Sequence, residues 1–137
     1  MRKASDTFFC VLALMRCPGR ALRPVASPHL VDGKPGESAL RGRRVFERAQ
    51  CAACHPGPLF TDLKQHDLGM AEGLDAGLAL DTPTLVEVWR TAPYLYDGRA
   101  ATLREALALH DASLKYPERK PLTAAELDDL TAFVSTL

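Results

Sequence analysis

Within the stretch 46-FERAQCAACHPGPLFTD-62, Cys51 and Cys54 are separated by two alanines and His55 follows at once. Three chemistries use thiols at this spacing. A zinc site needs a second ligand pair at matching spacing, and the other two cysteines, Cys10 and Cys17, are separated by six residues in an unpromising segment. A thioredoxin-like redox pair belongs in a βαβ setting, and no such alternation surrounds the motif. The motif favours the third chemistry, covalent haem: two thiols add to the porphyrin vinyl groups, and the adjacent histidine turns its imidazole onto the iron as proximal ligand. The order of residues matters, because the tether fixes the ring where His55 reaches its metal.

The elements that must hold the motif are helices. Ser38 is a capping residue, and Leu40, Val45, Phe46 and Ala49 fall near one face of a helix over 38–49, with Arg41, Arg43, Arg44 and Arg48 outside. Residues 56–81 are rich in Gly, Pro and Asp without periodic pattern, which predicts a long irregular loop. In TPTLVEVWR, Pro83 suits a first helical position and Glu87 lies three residues after Thr84, a short predicted helix. TAPYLYDGR turns through Pro93 and Asp97-Gly98, and Thr102-x-x-Glu105 opens a helix that ends before Pro117 and Pro121. Thr123-x-x-Glu126 opens the last, with Leu127, Leu130, Phe133, Val134 and Leu137 as its apolar stripe. No stretch alternates like a strand. The class is mainly α, and the helices at 38–49 and 123–136 are expected to pack together.

A chain of 137 residues, 47% hydrophobic and 25% charged, supports one modest core. The formal charge is zero but uneven: residues 1–48 carry ten Lys/Arg against four Asp/Glu, and the remainder seven against thirteen. The arginines lack aromatic partners, which argues against nucleic acid, and the acidic remainder suits a basic protein partner. No apolar run reaches the roughly eighteen residues of a membrane span. The opening has a basic start and an apolar stretch, Phe8 to Met15, cut short by Arg16 with no small-residue cleavage site after it. This reads as an imperfect export signal or a truncated remnant. Residues 18–37 hold four of the ten prolines and three glycines, a linker. Residues 1–37 therefore form an extended or disordered N-terminal segment and 38–137 one domain. A macrocycle adds the apolar surface that makes so much irregular loop tolerable.

Beyond the motif, GPLFTD (57–62), HDLG (66–69), DTPTL (81–85), TAPYLYDGRAATLREAL (91–107) and LTAAELDDLTAFVSTL (122–137) resemble the C-terminal haem domain of the bacterial di-haem cytochrome c peroxidase and MauG-like family. The resemblance implies a single cytochrome c-like domain with one covalent haem c, acting outside the cytoplasm, in the periplasm. Family members carry two such domains, and this sequence holds one CxxCH. In the family the domain resembled here usually relays electrons to the other haem. The implied activity is electron transfer with a redox protein donor or acceptor, or with another haem domain. Two alternatives stay open: a peroxidase or related oxidoreductase, alone or as half of a di-haem enzyme, and a module supplying the second haem to a partner.

The choice turns on what faces His55 across the iron. The family's distal position falls on His110, and Leu103, Ala106, Leu107 and His110 share a helical face. Met70 is the alternative distal ligand, and an open or water-filled position a third. His66 suggests a polar role near the haem rather than coordination. Thr91 and Pro93 match positions whose carbonyls bind calcium in the family. Arg99 and Arg104 are candidate propionate partners, Trp89 is a core residue before it is an electron-transfer one, and Tyr96 stands where the family has histidine.

Overall fold

A computed structural model describes residues 24–113 and 120–137; Cys10, Cys17, the Phe8–Met15 stretch and Pro117 lie outside them. Among the described residues, three helices and a two-residue ladder make up the regular structure: α1 (Glu37–Arg48), β1 (Gln65–His66), β2 (Leu80–Asp81), α2 (Leu103–Ser113) and α3 (Ala124–Val134). Single 3-10 turns lie at Cys51–Ala53, Gly73–Asp75 and Val88–Arg90. The mainly α expectation holds. None of these helices is long and apolar enough to cross a membrane.

The centre of the fold is the α1–α3 crossing. α1 buries Ala39, Gly42, Val45 and Phe46, and α3 buries Leu127, Leu130, Phe133 and Val134. Both sets repeat at helical spacing, so each helix offers one stripe. The backbones touch where they cross: a Cβ on Gly42 would lie 1.9 Å from the Asp129 carbonyl oxygen and 2.8 Å from Phe133 Cβ. Only glycine allows that approach. The Phe46 and Phe133 rings meet edge to face at 5.4 Å, and Phe60 joins them at 6.0 and 6.5 Å. At the rim, Arg41 forks onto Asp129 through Nε and a terminal nitrogen at 2.8 and 2.7 Å, and the Ser38 hydroxyl donates to the same carboxylate at 2.6 Å.

The structure corrects several local expectations. Gly36, not Ser38, caps α1, because Ser38 already lies in the first turn and bonds to α3. Leu40 is exposed and Ala39 takes its inward place. Residues 83–87 form no helix: Glu87 adopts a left-handed conformation (φ 60°), and the Thr84 hydroxyl donates to the Leu59 carbonyl at 2.6 Å instead of capping. At the start of α2 the Thr102 hydroxyl accepts from the Glu105 N–H, whereas the Glu105 carboxylate turns to the Ala101 N–H. The capping box at Thr123 and Glu126 forms as read.

Residues 24–36, the described residues before α1, have turns and no helix or strand, and they are tied to the body. The Ser27 hydroxyl donates to the Ser135 carbonyl at 2.5 Å, and the Val25 N–H donates to the Glu87 carboxylate. The loop after the motif is irregular as expected, apart from the antiparallel pairing of Gln65 with Asp81 and His66 with Leu80. That pairing holds residues 67–79 as one excursion ending at the cavity described next.

Candidate functional site

A cavity of about 600 Å³ lies beneath the crossing, walled largely by apolar side chains that include Phe46, Leu68, Leu85, Leu103, Leu107 and Leu130. Cys51, Cys54, His55, His66, Met70 and His110 also face it. The 3-10 turn explains how the motif is presented. Side chains three apart eclipse in such a turn, so Cys51 and Cys54 share a face toward the cavity while Ala52 and Ala53 are exposed. The His55 N–H donates to the Cys51 carbonyl at 2.9 Å, locking the imidazole onto the end of the turn.

The partners of the His55 ring bear on its tautomer. Its Nδ1 lies 2.9 Å from the Phe60 carbonyl oxygen, which can only accept. The Phe60 bond suits the tautomer with its proton on Nδ1 and a lone pair on Nε2, and the Pro83 carbonyl is a second acceptor for the ring. Burial lowers the His55 pKa, favouring the neutral ring, and is opposed by the Phe60 bond, Asp62 and the Pro83 bond. Phe60 supplies its carbonyl from a left-handed conformation (φ 53°) while its ring packs on Phe46 and Phe133. The core thus orients the imidazole.

His66 is a second polar feature of the wall, its Nε2–H donating at 2.8 Å to Asp62, which does not line the cavity. Burial acts to raise the Asp62 pKa, yet the bonds from His66, the Lys64 N–H and Thr82 prevail and hold it at about 2. Cys54, Asp62 and His66 place ligand atoms within 4.8 Å of one another. Burial, then Asp62, pushes the Cys54 thiol up.

His110 is carried into the cavity by α2, on the face of buried Ala106 and of Leu103 and Leu107. Met70, 5% exposed, meets it there: His110 Nδ1 and Met70 Sδ are 3.5 Å apart. The two alternative distal residues thus converge on one place. Thr91 and Pro93 line the cavity, the Thr91 hydroxyl donating to the Val88 carbonyl at 3.0 Å. Arg99 does not line it. Its guanidinium donates to the Met70 carbonyl at 2.7 Å and pairs with Glu72 and Asp97 at 3.3 and 3.6 Å. Arg104 pairs with Asp128 at 2.6 Å on the surface. Trp89 stands outside the wall, its buried Nε1 being without a partner, and Tyr96 accepts the Glu72 N–H at 3.4 Å. Sequence reasoning missed Phe60, Asp62 and the contact of Met70 with His110. Only the last had a signal, since both residues had been assigned to one position.

The donor set and the shape fit a haem. Two thiols and an imidazole share the wall of an apolar cavity with a second imidazole, and haem proteins bind the macrocycle in such surroundings. Fold and site define a small α-helical c-type haem domain. The cytochrome c family matches residues 39–137, and the chain belongs to it. Its members carry covalently bound haem c and act in redox electron transfer.

The chain is 32% identical over 126 residues to the methylamine utilization protein MauG of Methylorubrum extorquens, covering 74% of this chain and 35% of that protein. It is 31% identical to a cytochrome-c peroxidase of Denitromonas iodatirespirans, covering 72% and 40%. Among solved structures, hydrazine synthase of Kuenenia stuttgartiensis matches with a TM-score of 0.64 and 26% identity, covering 86% of this chain and 52% of that one. The chain spans about a third to a half of the length of these relatives. It is related to the di-haem peroxidases through this one domain.

Proposed function

We propose that this domain holds one haem c and serves as a one-electron relay. Cys51 and Cys54 tether the ring, His55 ligates the iron through Nε2, and His110 ligates from the distal side. Haem c, when bound, supplies a reversible one-electron couple at its iron. The carrying observation is the His55 ring, bonded through Nδ1 to the Phe60 carbonyl and set beside both thiols on a cavity that His110 also enters.

The residues divide the work. The 3-10 turn presents both thiols, Phe60 orients His55, and the apolar wall excludes water, which limits reorganisation around a changing charge. Two imidazoles give a lower potential than an imidazole with a methionine sulfur, suiting a low-potential relay. The partner is a redox protein or a second haem domain, met outside the cytoplasm in the bacterial periplasm. Calcium binds six to eight oxygens; this domain offers it the Thr91 and Pro93 carbonyls, so any such site is completed by another domain.

Carbon monoxide added to the reduced protein tests the reading. A filled distal position leaves the absorption spectrum unchanged. Rapid formation of a carbonyl complex, or a spectral response of the resting protein to peroxide, supports the peroxidase alternative instead.

A further inference from the structure

The contact between Met70 and His110 has a chemical direction. A thioether sulfur accepts a hydrogen bond and has no proton to give, so at 3.5 Å the proton belongs to His110 Nδ1. Nε2 is left as the nitrogen with a lone pair. Met70 sulfur occupies the Nδ1 side of the ring, the side turned away from a metal held by Nε2.

We propose that Met70 is a positioning residue for His110, selecting its ligating nitrogen and setting its donor strength, and that Arg99 holds Met70 in place. This rests on the reading of His110 as distal ligand. The hold on Met70 is specific. Arg99 donates to its carbonyl at 2.7 Å, and the same guanidinium bridges to Glu72 and Asp97 and lies 5.9 Å from the centre of the Tyr96 ring. Tyr96 in turn accepts the Glu72 N–H. Residues 70–72 are therefore pinned to 96–99 at the point where the methionine enters the cavity.

The two imidazoles are supported unequally. His55 donates to a backbone carbonyl and His110 to a sulfur, a much weaker acceptor. A stronger acceptor on the far ring nitrogen makes an imidazole a better donor to its metal. Of these two outer contacts, the one from His110 to Met70 is the weaker. A side chain at position 70 adjusts its strength, whereas the carbonyl behind His55 leaves nothing comparable to adjust.

The test uses full-length protein matured with haem and three sets of variants. Met70→Gln replaces the sulfur with an amide oxygen, and Met70→Leu removes the acceptor at similar volume. The midpoint potential falls in the Gln variant and rises in the Leu variant, with low-spin six-coordinate spectra in both. Added imidazole displaces His110 about 10-fold more readily in the Leu variant than in the parent, the usual size of an outer-partner effect. Arg99→Leu shifts the potential as Met70→Leu does, and Arg99→Lys, which keeps one donor for the Met70 carbonyl, restores most of the parent value.

Equal potentials in the parent and both Met70 variants overturn the proposal. So does loss of six-coordination, or of a sulfur-to-iron charge-transfer band, in Met70→Leu, which makes the methionine itself the ligand. His110→Leu separates the underlying reading: if that variant keeps the parent's bis-imidazole spectrum, with no sulfur-to-iron charge-transfer band, His110 is not the distal ligand.

Discussion

The α1–α3 pair and the cavity wall between residues 51 and 110 are ordered by different physics. The helix pair is complete in protein atoms: Gly42 admits close backbone approach, three phenylalanine rings meet edge to face, and Arg41 and Ser38 close the rim on Asp129. The wall is irregular, with left-handed residues at Gln50, Phe60, Leu63, Glu87 and Leu95. It surrounds about 600 Å³ rather than packing on itself. A region of this kind takes its order from what fills it, and the helix pair supplies the frame on which it is built.

The largest effect follows directly. Without the group that fills a space of about 600 Å³, the apolar side chains lining it have only water to meet. The double variant Cys51→Ser, Cys54→Ser, produced alongside the parent, is expected to lose its cooperative thermal transition by circular dichroism and to be cleaved first by protease between residues 56 and 102. A transition matching the parent's contradicts the division of the molecule drawn here. Gly42→Ala strikes the frame instead. The new methyl meets α3 backbone, and overpacking of that kind costs about 3 kcal/mol, read from the urea midpoint. The haem absorption spectrum before unfolding stays that of the parent.

Smaller changes sharpen the contrast. Thr123→Ala removes the hydroxyl of the capping box on α3 and costs about 1 kcal/mol, again in urea with the spectrum unmoved. Asp62 tests the support behind the wall, through its bond to His66. Its folded pKa of about 2 lies below the ordinary 3.8, so its contribution is complete above about pH 4 and is lost as the pH falls through about 2. Asp62→Asn therefore shows less acid sensitivity than the parent in that window, read as a smaller fall of the urea midpoint between pH 6 and pH 3. A parent-like pH dependence removes Asp62 from the account.

What the sequence revealed divides along the same line. The stripe of α3, the Thr123 box and the pairing of the two terminal helices are local or periodic patterns, and they formed as read. The wall was harder to read, since its contacts join residues far apart. Thr84 bonds to Leu59 and Glu87 accepts from Val25, and these long-range bonds displaced the short helix that TPTLVEVWR suggests. Arg99, read as a propionate partner, instead grips a carbonyl twenty-nine positions away. No spacing rule contains such a pair.

The central claim is that Cys51 and Cys54 bind the haem covalently in this cavity. Mass spectrometry under denaturing conditions, on protein made in a host that matures c-type cytochromes, tests it most directly. The account predicts a red protein whose polypeptide mass rises by one haem and returns to the apo value in the double serine variant. A colourless product, or a haem lost on denaturation, contradicts it.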